Sequence, residues 1–322
     1  MTKTNTKNIL VVGGGVIGLS VALRARQAGH DVTIWSLEGA TALPNTSASA
    51  YALWVPVYTA DPRILPITEV TRAEFAALAS DNQSGIELRT AIVLKQHKGE
   101  EPWYANVDGF RHATAAELTD QYADGLAIDN TPVIDPEKYL PWLRSRVVAA
   151  GVKIEQHEVK QFVDTPSEFD TIINCTGLGT RALTGDTSIF PVRVQVVRVR
   201  KNNNQHISVC KTDDEGPNNR CCIVPHADYI TIGGFFDGGE TLEVDESQTQ
   251  AILDRAMRVE PGLKLSAADI IEVRRATRPE RSTPWIENTV TTDGRQLIHC
   301  TGFNGMGYLC SWGAADTVAS HL

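Results

Sequence analysis

Gly13, Gly15 and Gly18 stand in G-x-G-x-x-G spacing inside the stretch LVVGGGVIGLS, residues 10 to 20. Glycine in the first place permits a tight turn, in the second lets backbone approach a pyrophosphate, and in the third lets a helix pack closely on a strand. Arg278 and Arg281 lie in TRPERS, and a planar guanidinium that is always charged suits a bidentate grip on a carboxylate. The stretch GFNGMGYL places Gly302, Gly305 and Gly307 before a segment, Tyr308 to Ala319, that reads as a helix. Its N-terminus would turn partial positive charge toward a flat ligand lying against the glycines. No Ser/His/Asp or paired-carboxylate constellation accompanies these stretches, and His299, alone at a strand end, reads as a core residue.

The elements around the first glycines are those a nucleotide loop needs. An apolar run, Ile9 to Val12, reads as a buried strand, Val16 to Gln27 as a helix, and DVTIW as a second strand. Val16 and Ile17 open the helix, where free N–H groups attract phosphate. The second strand should end in an acid for the ribose hydroxyls about 20 residues past the loop, and Glu38 takes that role. The motif alone leaves NAD and FAD open. A further strand, Thr171 to Asn174, ends in Cys175, Thr176 and Gly177, a second small-residue crossing that NAD dehydrogenases do not need and that tips the cofactor to FAD.

The chain has 322 residues, 42% of them hydrophobic, enough for a sizeable core. The 30 Lys and Arg against 39 Asp and Glu give a formal charge of −9, which argues against nucleic acid or an anionic membrane as the principal partner and for a small molecule. No apolar stretch approaches the roughly 20 residues of a membrane span, and the polar start MTKTNTKN leads us to expect a cytoplasmic protein. The six cysteines show no zinc spacing and are expected as free thiols; no metal is expected.

The pattern predicts an α/β fold, with a Rossmann-like parallel sheet in one domain and an α+β domain rich in antiparallel strands. The first domain would be discontinuous, residues 1–60, 130–190 and 275–322, and the second would take 61–129 and 191–274. Polar helical stretches at Thr68 to Ala79 and Thr114 to Tyr122 mark the insertion. In DPEKYLPWLRSRVVAAG, Asp135 is a fitting N-cap, Pro136 a fitting first helical residue and Gly151 a stop. Alternating Val, Ile and Arg in FPVRVQVVRVR, and the run YITIGGFFDG, read as antiparallel strands.

Taken in order, VVGGGVIGLSVAL, NTSASAYALWVP, IDPEKYLPWL, IINCTGLGTRAL, PVRVQ, IGGFFDGG, TRPERS and HCTGFNGMGYLCSWG resemble the D-amino-acid oxidase family, FAD enzymes of the glutathione-reductase-like fold. The resemblance runs almost the whole length. It implies non-covalent FAD held by the glycine loop, by Thr46, Ser47, Ala48 and Trp54, by the Cys175 to Gly177 turn, and by Gly302, Asn304, Gly305, Met306, Gly307, Tyr308 and Leu309. It implies Arg278 as the grip on the substrate carboxylate, with Gly305 and Tyr308 beside the reacting centre. The implied reaction passes the Cα hydrogen as hydride to flavin N5, releases an imine that hydrolyses to a 2-oxo acid and ammonia, and ends with molecular oxygen reduced to hydrogen peroxide. No side chain then need take the α-proton, which agrees with the missing constellation.

The chain departs from the family where two tyrosines cover the substrate: the matching positions hold Asn218 and Cys222. In LWVPV, Val55 and Val57 stand where the family has a polar and an aromatic residue, while Phe303 and Tyr308 restore bulk. A pocket in which Tyr308, Tyr229 or Tyr51 supplies the phenol is one consequence; a relative acting on an unusual amine or pathway intermediate is another. A dehydrogenase using another acceptor, and a sensor that kept FAD without turnover, also fit the sequence. The oligomeric state, monomer or homodimer, stays open.

Overall fold

The computed structural model describes residues 6–37, 46–56, 61, 63–213, 220–238 and 242–322. Six strands form the first sheet: β1 (Asn8–Val12), β2 (Asp31–Ser36), β6 (Lys153–Gln156), β7 (Thr171–Asn174), β13 (Trp285–Val290) and β14 (Gln296–Thr301), in the order β13-β14-β7-β1-β2-β6. All neighbours in it pair in parallel except β13 with β14. Eight strands form the second: β3 (Ile86–Lys95), β4 (Phe110–His112), β5 (Asp124–Ile134), β8 (Phe190–Arg200), β9 (Cys210–Asp213), β10 (Cys222–Pro225), β11 (Tyr229–Gly238) and β12 (Ile270–Glu280), in the order β12-β8-β11-β10-β9-β3-β5-β4. Its pairings are antiparallel except β3 with β9. The fold is therefore the α/β class expected, a Rossmann-like layer joined to a mostly antiparallel sheet.

The helices are α1 (Val16–Gln27), α2 (Ile64–Leu78), α3 (Pro136–Ala149), α4 (Thr180–Thr184), α5 (Glu246–Val259) and α6 (Gly307–Ala319). The strand period of two decides how β1 is buried. Ile9 and Val11 join one apolar cluster, Leu10 and Val12 another, all at 5% exposure or less. Full burial of such side chains stabilises by about 1.5–3 kcal/mol each. Asp135 caps α3 as its sequence suggests, accepting the Glu137 N–H at 3.0 Å with Pro136 in the first helical place.

Helix α2 begins a turn before its predicted start at Thr68 and packs against α6, where a Cβ on Gly313 would come 2.2 Å from the Ile67 carbonyl oxygen. The rest of the insertion differs from expectation. Thr114 to Tyr122 is a run of turns rather than a helix, because Glu117 turns back to accept the Thr114 N–H at 2.8 Å while both its oxygens take Arg111. Strands β3, β4 and β5 then join the sheet built by β8 to β12. Strands β5 and β12 run through positions 129/130 and 274/275, where the sequence reading set domain limits.

Among the described residues no helix is long and apolar enough to cross a membrane, and no group of His, Cys, Asp and Glu is arranged to hold a metal ion. All six cysteines are free thiols.

Candidate active site

A cavity of about 790 Å³ runs between the two sheets, near the upper end of the roughly 300–1,000 Å³ of small-molecule sites. The carboxyl ends of β1, β2 and β7 open into it, as parallel sheets of this class place their ligands. The structure brings together on its wall Gly13, Gly15, Val16 and Ile17 from the first loop, Thr46 and Ser47, Cys175, Thr176 and Gly177, and Gly302, Phe303, Asn304, Gly305, Gly307, Tyr308 and Leu309. Arg278 and Tyr51 also line it.

The first loop is built so that only glycine fits. Gly13 has φ +117°, and a Cβ there would lie 2.4 Å from the Cys175 carbonyl oxygen, on the neighbouring strand crossing. A Cβ on Gly14 would lie 2.9 Å from Ser36 Oγ, and one on Gly15 3.1 Å from Ser47 Oγ. Gly18 does not line the cavity; its Cβ would fall 1.9 Å from the Gly13 carbonyl oxygen, so its absence lets α1 sit directly on the turn. The N-cap residues of α1 and α6, Gly15 and Met306, give no side-chain cap of their own, and both helices direct their N-termini to the cavity wall; at α1 the Ser47 hydroxyl accepts the Val16 N–H at 3.1 Å. Each leaves partial positive charge there for a phosphate or an anionic ring edge.

Behind the Cys175 crossing, the Thr176 hydroxyl donates to Asn174 Oδ1 at 2.7 Å and the Thr180 hydroxyl lies 3.0 Å from it. Asn174 Nδ2 lies 3.1 Å from His299 Nδ1, whose ring stacks on Trp285 at 3.9 Å, and burial lowers the His299 pKa. His299 is thus the core residue expected, neutral and used in packing. Proximity to Cys300, reinforced by burial, pushes the Cys175 thiol well above its ordinary value.

At the other end, Arg278 lies with its guanidinium carbon 4.4 Å from the centre of the Phe236 ring, and its Nε forms an ion pair with Glu280 Oε1 at 2.5 Å. Gly305, at φ +45°, approaches so closely that a Cβ would meet Arg278 Nη1 at 2.6 Å. Burial raises the Glu280 pKa and Arg278 opposes the rise. The Tyr308 hydroxyl donates to the Ser47 carbonyl at 3.1 Å.

Several predicted site residues lie elsewhere. Trp54 is fully buried and donates from Nε1 to the Thr68 carbonyl at 2.9 Å; it belongs to the core with Val55 and Met306. Ala48 lies off the wall, its carbonyl turned to two arginines. Cys222 is buried in β10 with Sγ 3.2 Å from Thr212 Oγ1, and the Tyr229 hydroxyl donates to Asp135 Oδ1 at 2.6 Å, so neither faces the cavity. Glu38, Val57 and Asn218 lie outside the described residues. Sequence reasoning missed the Trp35–His157 ring pair, 4.0 Å between centres, at the β2 end of the cavity, and Phe236, Val194 and Leu242 at the Arg278 end. A β2–β6 pairing would have brought Trp35 and the residue following β6 together, and the alternation of β8 would have turned Val194 inward.

Residues 8–321 match the model of the DAO family, FAD dependent oxidoreductase. The chain belongs to this family. A D-amino-acid oxidase from Rubrobacter xylanophilus is 33% identical over 316 residues, covering 97% of this chain and 94% of the relative. A D-aspartate oxidase from Homo sapiens is 30% identical over 326 residues, covering 97% and 93%. Among solved structures, a glycine oxidase from Geobacillus kaustophilus superposes with a TM-score of 0.81 at 18% identity, covering 98% of this chain and 94% of that one. An L-proline dehydrogenase from P. horikoshii gives 0.80 at 14%, covering 98% and 93%. At those identities the structures speak for the fold. The protein is an FAD-dependent oxidoreductase, and the glycine cradle and the two helix N-termini at the cavity wall suit such a dinucleotide.

Proposed function

We propose that the protein oxidises the Cα–N bond of a D-amino acid to an imine that hydrolyses to a 2-oxo acid, with molecular oxygen as final acceptor. FAD, held without a covalent bond, supplies the two-electron acceptor when bound. The observation that carries the reading is Arg278, a cation of the cavity wall set against the Gly305 turn at the start of α6. Its fork would hold the substrate carboxylate at a fixed angle, and Phe236 beneath it would keep the guanidinium flat.

The chain's contribution is orientation and exclusion of water. Tyr51, Leu53, Val194, Phe236 and Phe303 give the Arg278 end a largely apolar wall, suited to an uncharged substrate side chain. Tyr229 lies off the cavity wall, and of the candidate phenols on it we assign Tyr51 to the substrate end. Cys310 lies off the cavity wall, Cys300 on it is buried, and the Cys175 thiol is displaced toward its protonated form; together these support non-covalent binding.

The test is a panel of D- and L-amino acids read by peroxide release, with anaerobic bleaching of the bound chromophore as a second signal. Turnover of D-amino acids with peroxide is expected. Bleaching without peroxide in air would replace oxygen with another acceptor, and chromophore that stays with acid-precipitated protein would overturn non-covalent binding.

A further inference from the structure

The Ala48 carbonyl oxygen accepts two guanidinium donors, Arg274 Nη1 at 2.8 Å and Arg198 Nη2 at 3.0 Å. Both arginines come from the second sheet, on β12 and β8, and Arg198 is only 3% exposed. Their charges are balanced by two carboxylates. Glu137, in the first turn of α3, accepts both at 2.7 Å through Oε1, and Glu272 accepts Arg198 at 2.8 Å and Arg274 at 2.9 Å. In the two residues before Ala48, the Thr46 hydroxyl donates to the Thr277 carbonyl at 2.7 Å and the Ser47 carbonyl accepts the Tyr308 hydroxyl. Ser47 Oγ is then left against the first loop, accepting the Val16 N–H at 3.1 Å.

We propose that Arg198 and Arg274 are positioning residues for the cofactor: by fixing the Ala48 carbonyl they set the Ser47 hydroxyl at the start of α1, where it accepts the Val16 N–H. The stretch Thr46 to Ser49 is a turn and not a strand of either sheet, and the side chains of Thr46, Arg198 and Arg274 tie it to β12 and β8. A salt bridge serving stability alone needs only its carboxylates; here each arginine also donates to a neutral peptide oxygen beside the serine whose hydroxyl accepts the Val16 N–H. Charge-assisted donors of this kind bind more strongly than neutral ones and hold the acceptor's direction. The inference rests on the reading that the Gly13 to Gly18 loop receives the pyrophosphate.

Apoprotein titrated with FAD by fluorescence quenching, and with ADP as competitor, tests it. Arg274→Met leaves Arg198 Nη1 on both carboxylates, with one negative charge unbalanced but both glutamates about one-third exposed to solvent. This variant should weaken FAD and ADP by the same factor, roughly ten-fold or more, with Arg274→Lys between it and the parent. Ser47→Ala should weaken both ligands, and the double variant should be no weaker than the weaker single, since both changes act through one hydroxyl. FAD affinity within two-fold of the parent in Arg274→Met, multiplied losses in the double variant, or FAD weakened with ADP unaffected would each overturn the proposal. If Arg274→Met does not fold, the same comparison is made with Arg274→Lys and Ser47→Ala. Gly15→Val is the separate arm: full FAD affinity there overturns the loop reading, whereas its loss beside an unaffected Arg274→Met overturns the positioning role alone.

Discussion

Arg278 and Glu280 stand two residues apart on β12 with Nε and Oε1 2.5 Å apart, so this cation of the cavity wall carries its own counter-ion. The alternation of a strand makes the pairing unavoidable, because residues i and i+2 share a face. Burial holds the Glu280 carboxyl above its ordinary range against the pull of Arg278. The folded chain therefore keeps this proton to higher pH than the unfolded chain does. Its stabilising effect is complete below the unfolded value, about pH 4, and is lost as pH rises through the folded value. Glu280→Gln should flatten that part of the stability curve, read as Tm against pH; an unaltered slope would count against the assignment.

Replacing Arg278 separates its charge from its shape. Arg278→Lys keeps a cation beside Glu280 but loses the planar fork, and should raise KM for a carboxylate substrate roughly ten-fold with flavin content unchanged. Arg278→Ala should raise KM further, roughly a hundred-fold, and lower Tm as well, since it strands a buried carboxylate. Unchanged kinetics in both would sink the carboxylate role.

Two glycines with similar backbone and opposite surroundings give a matched pair. Gly13 (φ +117°) would drive a Cβ into the Cys175 carbonyl, whereas Gly29 (φ +98°) has nothing within 4 Å. Gly29→Ala should cost only the conformational term, on the order of 1 kcal/mol, and keep its flavin. Gly13→Ala should add steric strain to that term and yield colourless protein, as seen from Tm and the visible spectrum.

His226 is 2% exposed, its Nε2 has no partner among the described residues, and burial, assisted by Arg198, lowers its pKa to about 3. The unfolded chain takes up this proton first, so stability is full above the ordinary value and falls as pH drops from about 6.5 toward 3, by about 1.4 kcal/mol per unit at most. His226→Phe, which can keep the ring contact with Tyr229, should flatten this acid limb. Urea unfolding at a series of pH values measures it.

Thiol labelling reports the cavity. Five cysteines are buried and Cys175 alone is partly exposed, on the cavity wall. Native apoprotein should react slowly at one thiol and FAD should protect it; rapid labelling of several would contradict the packing.

The first sheet was legible because each of its signals is local. Ile9 to Val12 is one apolar run, the glycine spacing sits at its end, and Asp135 and Pro136 announce α3 within two residues. Side chains quoted with a motif were less safe. Trp54 sits in the same stretch as Thr46 and Ser47, yet nothing local says that the chain turns between them and sends the indole into the core. Tyr229 was chosen for its phenol, and Asp135, 94 residues away, decides where that phenol goes. Phe236 and His157 reach the cavity only through pairing between distant strands, which composition and periodicity do not encode.

Strand β12 carries Arg274, which holds the turn beside α1, and Arg278, which faces the cavity, four residues and roughly 13 Å apart along one face. In thermodynamic terms it is a coordinate shared by two ligands. A ligand that shifts or stiffens the strand at one end alters the affinity at the other, and by reciprocity the effect runs equally both ways. Carboxylate inhibitors should then tighten FAD retention by the same factor by which FAD tightens them, an exchange set by the backbone between two arginines.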